Sequence, residues 1–387
     1  MGLDGEVAGT GRRLAITKGQ TMHRHLARRT ISVAALAVGL GTAFVTTASA
    51  QGHQSPTPAG HVYEATNASN GNAIQVFDRS SDGRLTAAGL VATGGAGTGA
   101  SLHSQGGVVR EGDLLFVVNA GSATVSALQI TRHGLVLRDT IPTNGTMPVS
   151  VTARGGVGYV VNQSSDTISG FRYATDGDLS PLPGSTRALT PNAAGGITDA
   201  AQIEFAPDGS TLLVTEKASN TLDTFALRGG YAGLAVPHTS AGTTPYGFAF
   251  DPSGHAIVSE AASGSASSYD VGRRGFSTVS SAVSDTQAAA CWLVVARGYA
   301  YAVNAASGTV SSYTVAKDGT LTLKEAVAAN TGAGGTDAAV SVDQQHLYVR
   351  MGGGLVSSWS VARDGSLTNL GTTAGAPAFG TAGLAAA

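Results

Sequence analysis

The 387-residue chain is short of several things, and each shortage excludes something. It has one cysteine, Cys291, so no intramolecular disulfide framework can hold it together. Charged residues make up 12% of it and aromatics 6%, yet 42% is hydrophobic, which is ample for a buried core and too much for a disordered chain. After residue 50 no stretch keeps a helical apolar period over ten residues, and none is long and apolar enough to span a bilayer. Basic charge is also scarce. Of the 23 Lys/Arg and 25 Asp/Glu, six and two fall in residues 1–50, which leaves residues 51–387 at net −6. A mildly acidic body argues against nucleic acid as a partner, because phosphate binding needs a basic face.

Residues 1–50 read as a leader. Arg24, Arg28 and Arg29 form a basic region, Ile31 to Val45 is apolar, and Ala48-Ser49-Ala50 is a small-x-small cleavage pattern. Met22 is an alternative start, and the Arg28-Arg29 pair leaves twin-arginine export open beside the general secretory route. The expectation is a secreted, soluble product: a leader at 1–50, a short linker at 51–60 and one domain at 61–387, with no membrane association after cleavage, acting as a monomer.

What the chain has in abundance is glycine, 54 residues, and a repeated passage. "FVVNAGSATVSAL", "YVVNQSSDTISGF", "LVTEKASNTLDTF", "IVSEAASGSASSY", "YAVNAASGTVSSY" and "YVRMGGGLVSSWS" align on Asn119, Asn162, Glu216, Glu260, Asn304 and Arg350, at spacings of 43, 54, 44, 44 and 46 residues. A looser copy, "YEATNASNGNAIQVF", lies at 63–77, making seven. Each copy holds four short runs that alternate with period two and are rich in Val, Tyr, Phe, Thr and Ser. Asp-Gly at 82–83, 176–177, 318–319 and 364–365, Pro-Asp-Gly at 207–209 and Pro-Ser-Gly at 252–254 supply the positive φ that tight turns require. Seven four-stranded units of this length predict an all-β, seven-bladed propeller of antiparallel blades, since a single such sheet hides its two faces only between two more. The chain enters at "HVYEATN", a second strand, and leaves at "GAPAFGTAGLAAA" (375–387), a first strand. The C-terminal strand is therefore expected to complete blade one.

In that layout the first strands start, and the second strands end, on one face. Gln105, Val149, Gln202, Tyr246, Trp292 and Asp337 from the first set, with Asn119, Asn162, Glu216, Glu260, Asn304 and Arg350 from the second, are expected to ring the mouth of the central channel. Two long connections reach this face, 93–105 and 181–202, and the second, with Arg187 and Asp199, has the length of a lid. Plainer readings stand beside these. An Asn at a strand end bonds its own turn, Gln105 and Gln202 satisfy backbone groups near a crowded axis, Cys291 and Trp292 pack, and the charged cluster of Glu216, Lys217, Glu260 and Arg350 forms a structural ion-pair ring.

The pattern Tyr-Val-x-Asn-x-x-x-x-Thr-Val-Ser-x-Tyr, followed by Asp-Gly-x-Leu and then F-x-P-D-G, resembles the lactonase-type seven-bladed propellers, relatives of 6-phosphogluconolactonase and carboxymuconate cyclase. The resemblance covers about 61–387, and "SQGGVV", "PGSTRAL", "AQIEFAPDG" and "CWLVV" place it nearest a secreted actinobacterial branch. It implies a small-molecule partner, a lactone, hydrolysed at the top of the channel. Glu216 would stand at the family's Glu position, with Glu260 and Arg350 as further catalytic candidates and Gln105, Asn119, Asn162, Gln202, Tyr246, Trp292, Asn304 and Asp337 binding substrate. Ala201 and Gln202 occupy the positions where the family carries Arg and His. An amide cannot shuttle a proton as an imidazole does, so a non-catalytic extracellular binding propeller is the alternative. No cofactor is required by either reading; the mixed Glu and Asn oxygens would suit Ca²⁺, as in other propeller hydrolases, but their spacing gives no ligand signature.

Overall fold

The computed structural model describes residues 57–332, 334–376 and 383–387; the leader lies outside the described residues. Seven antiparallel sheets follow one another along the chain. In blades 2, 5, 6 and 7 the four strands run in order from the axis outward, as in blade 6, where Ala290–Ala296, Tyr299–Asn304, Thr309–Val315 and Leu321–Asn330 pair in succession. Apart from strands, the described residues hold one 3-10 turn, Gln163–Ser165. No helix among them is long and apolar enough to cross a membrane.

Blades 3 and 4 depart from the simple pattern. The outer strand of blade 3 is split into Leu179–Pro181 and Arg187–Ala188, both paired with Thr167–Tyr173. That of blade 4 is split into Tyr231–Ala232 and Val236–Thr239, both paired with Thr221–Arg228. Outer strands carry only one packed face, so an interruption there disturbs little of the core.

The second strand of each blade is the most deeply set. Every residue of Leu114–Asn119, Thr211–Glu216 and His346–Met351 is buried, because both faces of that strand lie against a neighbouring sheet. One apolar cluster accordingly runs through blades 2, 3 and 4, with Phe116, Val151, Tyr159, Ile203 and Leu212 in contact. Each such side chain contributes about 1.5–3 kcal/mol on burial. Tyrosines on the second strand also tie adjacent blades. Tyr159, Tyr301 and Tyr348 donate through their hydroxyls to the carbonyls of Gly230 (2.9 Å), Gly365 (2.9 Å) and Gly83 (3.1 Å) in the next blade's outer hairpin turn. Those turns need glycine twice over. Gly365 holds φ +79°, and a Cβ there would sit 2.6 Å from the Tyr299 ring; Gly83, at φ +88°, would run into His346.

The ring closes as the sequence implies. Leu384–Ala386 pairs with Gly60–Ala65 and becomes the innermost strand of blade 1, with Val62 opposite Ala386 and Glu64 opposite Leu384. Residues 377–382 of the segment assigned to this closure lie outside the described residues. A buried ion pair, Arg350 Nε to Glu64 Oε1, joins blade 7 to blade 1, and the Ala376 amide donates to Glu64 Oε2 at 2.8 Å. Asp337 stands nearby, and burial pushes its carboxyl up to about 8.

Candidate functional site

The first strands begin and the second strands end on the same face, as expected, but the residues singled out there do not ring an open mouth. All twelve are buried. Asn119, Asn162 and Asn304 turn back into their own blades. Each donates through Nδ2 to the hydroxyls five and seven positions on: Thr124 (3.1 Å) and Ser126 (2.8 Å), Thr167 (3.4 Å) and Ser169 (3.1 Å), Thr309 (3.1 Å) and Ser311 (2.8 Å). This clasp fixes the turn between strands two and three. A glycine of the incoming connection lies directly against it, Gly95 on Asn119 and Gly145 on Asn162, with no room for a side chain between. The asparagines therefore do structural work, and a ligand on this face would not touch them.

The two glutamates occupy the same repeat position. Glu260 Oε1 accepts from Ser240 Oγ (2.7 Å) and Tyr269 OH (3.2 Å), and burial raises its pKa against those bonds. At Glu216 the residue seven positions on is Asp223 rather than Ser. Burial, and then the negative charge of Asp223, push the Glu216 carboxyl up to about 9. Glu216 Oε2 accepts from Ser219 Oγ (2.6 Å), while Oε1 has no donor. Burial and the neighbouring Asp223 carboxylate both favour the uncharged acid at Glu216.

The long connection ahead of blade 4 seals this pair. Thr190 donates to Asp223 through its amide (2.7 Å) and hydroxyl (2.8 Å), and Thr198 donates to Asp166 through its amide (3.0 Å) and hydroxyl (2.8 Å). Asp199 pairs with Lys217 at 3.3 Å. Arg187 lies in the split outer strand of blade 3 and donates to the carbonyls of Gly184 and Thr186. The segment is thus a strap fastened over blade 4, not a lid hung over the axis.

The axis itself is filled from this face by the connection into blade 2. Gln105 crosses from blade 2 to blades 5 and 6: its Nε2 donates to the Leu293 carbonyl (2.8 Å) and more weakly to that of Phe248 (3.3 Å), and its Oε1 accepts from the Leu293 amide (3.0 Å). The preceding carbonyl, Ser104, accepts from Trp292 Nε1 (2.9 Å). Gln202 does the same work over a shorter span, donating to the Phe248 carbonyl (2.9 Å) and accepting from its amide (2.8 Å). The inner edge of a propeller blade leaves backbone groups without a strand to pair with, and these amides satisfy them. Above the plug sit Lys217, which donates to the His103 carbonyl (2.6 Å) and lies 4.9 Å from the centre of the Tyr246 ring, and Trp292, packed edge-on against Tyr246 at 5.2 Å. Burial lowers the Lys217 pKa and raises that of Tyr246; it also pushes the Cys291 thiol up to about 12, which makes it inert. The charged cluster of Glu216, Lys217, Glu260 and Arg350 does not close into an ion-pair ring: Glu216 is held by Ser219, Lys217 by Asp199 and the His103 carbonyl, Glu260 by Ser240 and Tyr269, and Arg350 by Glu64.

Open space lies below the plug. An axial cavity of about 350 Å³ is walled by the inner strands, with Gln105, Gln202, Glu204, Thr152, Arg110 and Phe248 among its lining. Glu204, which the sequence reading passed over, is its most perturbed group. It is only part-buried, and it faces the space between the inner strands. Desolvation there pushes its carboxyl up to about 8, against the hydrogen bond donated by Gln202 Nε2 at 3.2 Å. Its signal in the sequence was its place two residues after Gln202 on the same strand, which puts both side chains on one face. Among the described residues no three His, Cys, Asp or Glu side chains gather as a metal site.

The family described as "Lactonase, 7-bladed beta-propeller" matches residues 149–275, blades 3 to 5. The chain resembles the lactonase-type propellers. A protein of Bacteroides fragilis described as a candidate 6-phosphogluconolactonase superposes with a TM-score of 0.67 at 18% identity, over 86% of this chain and 99% of its own. Its counterpart from Bacteroides uniformis gives 0.69 at 18% identity, over 85% and 99%. The periplasmic gluconolactonase of Pseudomonas aeruginosa gives 0.65 at 16% identity, over 84% and 98%. At such identities the likeness is one of fold. Among curated proteins, none matches the chain in sequence.

Proposed function

We propose that this lactonase-type propeller acts outside the cell as a small-molecule binder, taking its ligand in the axial cavity and not hydrolysing it at the upper face. The observation that carries this is the Gln105 plug. Its bonds to Leu293 and Phe248 close the axis where a lactonase of this type would open, while Glu216 and Glu260 are sealed inside their blades. Ala201 and Gln202 at the family's Arg and His positions point the same way, since neither moves a proton. Export rests on the leader pattern ending at Ala50. N-terminal sequencing of protein recovered from culture medium should read from Gln51.

The experiment is a thermal-shift screen of the mature protein with δ-gluconolactone, muconolactone and the corresponding sugar acids, with turnover assayed on every compound that stabilises. A ligand present at 100 times its Kd stabilises by about 2.7 kcal/mol, well above detection. Stabilisation without turnover is the expected result. Turnover that disappears in Glu216→Gln would overturn the proposal and restore the upper face as a catalytic site.

One observation favours a second reading. Glu204 is a carboxyl poised near 8 in a cavity that a small lactone can enter. Ionised, it can take a proton from water as the oxygen attacks the lactone carbonyl; the ring C–O bond then breaks and its oxygen recovers a proton. Hydrolysis by this route would rise with pH through about 8 and vanish in Glu204→Gln while surviving Glu216→Gln.

A further inference from the structure

A second, larger cavity lies on the opposite face, beneath blade 4, with a volume of about 930 Å³. It touches the axial cavity only through the shared wall of Arg154 and Phe205. Three arginines from three blades line it: Arg154 from the first turn of blade 3, Arg228 from the outer hairpin of blade 4 and Arg273 from the outer hairpin of blade 5. All three are exposed, and among the described residues none makes an ion pair or a hydrogen bond through its guanidinium. No carboxylate lines the groove. The charges that face it from adjoining elements are few. Asp208, held by the Ser210 amide (2.9 Å) and hydroxyl (2.6 Å), acts on Arg273; Asp223 acts on His238; Glu111 and Glu204 belong to the axial side. On a body of net −6, three arginines gathered with only Asp208 acting on one of them leave an excess of positive charge that calls for an anion from outside.

The groove also has a flat wall. Phe276 is stacked between His238, 3.9 Å away and tilted by 12°, and Tyr269, at 5.1 Å and 28°. His238 Nε2 is bonded to Thr224 Oγ1 at 3.0 Å, and burial lowers its pKa, so the stack presents a neutral, rigid surface. Beside it the gap in the outer strand of blade 4 leaves Leu234 81% and Val236 52% exposed, an apolar lip on an otherwise polar hairpin. Guanidiniums set at three points suit a ligand with more than one anionic group, and the aromatic wall suits a ring.

We infer that this groove is a binding site for a multiply charged anion, carboxylate or phosphate, carried on a ring. It is independent of the axial reading. The test is calorimetric titration of the full propeller at low salt with benzene-1,3,5-tricarboxylate and with pyrophosphate, compared with glucose. The tricarboxylate should bind saturably and glucose should not. Affinity should fall at least tenfold in the Arg154→Ala/Arg228→Ala double variant and in Arg228→Glu, and should be unchanged in Arg132→Ala, an exposed arginine of blade 2. Phe276→Ala should weaken the tricarboxylate and leave pyrophosphate unaffected. Binding of pyrophosphate alone would keep the anion site and overturn the ring. The inference falls if neither anion saturates, or if the double variant and Arg228→Glu both bind with the parent's affinity.

Discussion

Replacing Glu216 by Gln should make the protein more stable, which is unusual for a buried polar position. The carboxyl titrates at about 9 in the fold against an ordinary 4.5. Between those values the folded state binds a proton that the unfolded chain has released, so stability falls as pH rises through the window; below 4.5 the difference vanishes. At about 1.4 kcal/mol per pH unit, holding Glu216 protonated at pH 7 costs on the order of 3 kcal/mol. Glutamine presents the same shape, keeps an oxygen for Ser219 and offers a permanent N–H to Asp223, so it removes that cost without removing a bond. With roughly 2 cal/mol/K of unfolding entropy per residue, the gain over some 330 residues corresponds to about 5 °C in Tm at pH 7. Differential scanning calorimetry of both proteins from pH 5 to pH 9 measures it. The gap should be below about 1 kcal/mol at pH 5 and widen steadily to pH 8.5. Glu204 and Asp337, both pushed up to about 8, leave a residual slope of the same sign in both proteins. A variant less stable than the parent at pH 7, or a gap that does not change with pH, would refute the account of a protonated Glu216.

Gln105→Leu should fill the same volume but strand the Leu293 amide and carbonyl; each orphaned group costs about 1–3 kcal/mol, seen as a lower denaturation midpoint. Removal of residues 383–387 should cost far more than trimming an exposed tail. It uncovers Val62, Tyr63 and Glu64 at once, and the loss would show as a large fall in melting temperature. Cys291 should not react with a thiol reagent in the native protein at pH 8 and should react fully after unfolding, since its thiol is buried and titrates near 12.

Much of this architecture was legible in the sequence because it is local and repeated. Blade number, strand order, the Asp-Gly turns and the closing strand all follow from alternation and spacing, which the chain writes seven times. The clasp was legible too: "NAGSATVS", "NQSSDTIS" and "NAASGTVS" carry Asn, hydroxyl and hydroxyl at offsets of five and seven. The same offsets place Asp223 against Glu216, where a strand-end carboxylate was read as facing a channel. The plug was legible only in kind: Gln105 and Gln202 read as satisfying backbone groups near a crowded axis, but the span of Gln105 did not. Gln105 and Leu293 are separated by 188 residues, and nothing in the local pattern says which side chain will bridge a diameter. Blade edges next to the axis leave backbone donors and acceptors that something must satisfy, and which strand each amide reaches is decided only when the ring is assembled. The anion groove escaped for a similar reason, since its three arginines sit on hairpin tips in different repeats.

Repeated folds usually communicate only between neighbours, so damage to one unit is felt one unit away. Gln105 and Ser104 break that rule by strutting the ring across its width, and the amide of Leu293, which donates to Gln105, reports on the strut. Loosening the loop ahead of blade 2 should therefore speed hydrogen exchange at Leu293 in blade 6, on the far side of the molecule, together with Val151 in blade 3 beside it, whose amide donates to the Gly106 carbonyl.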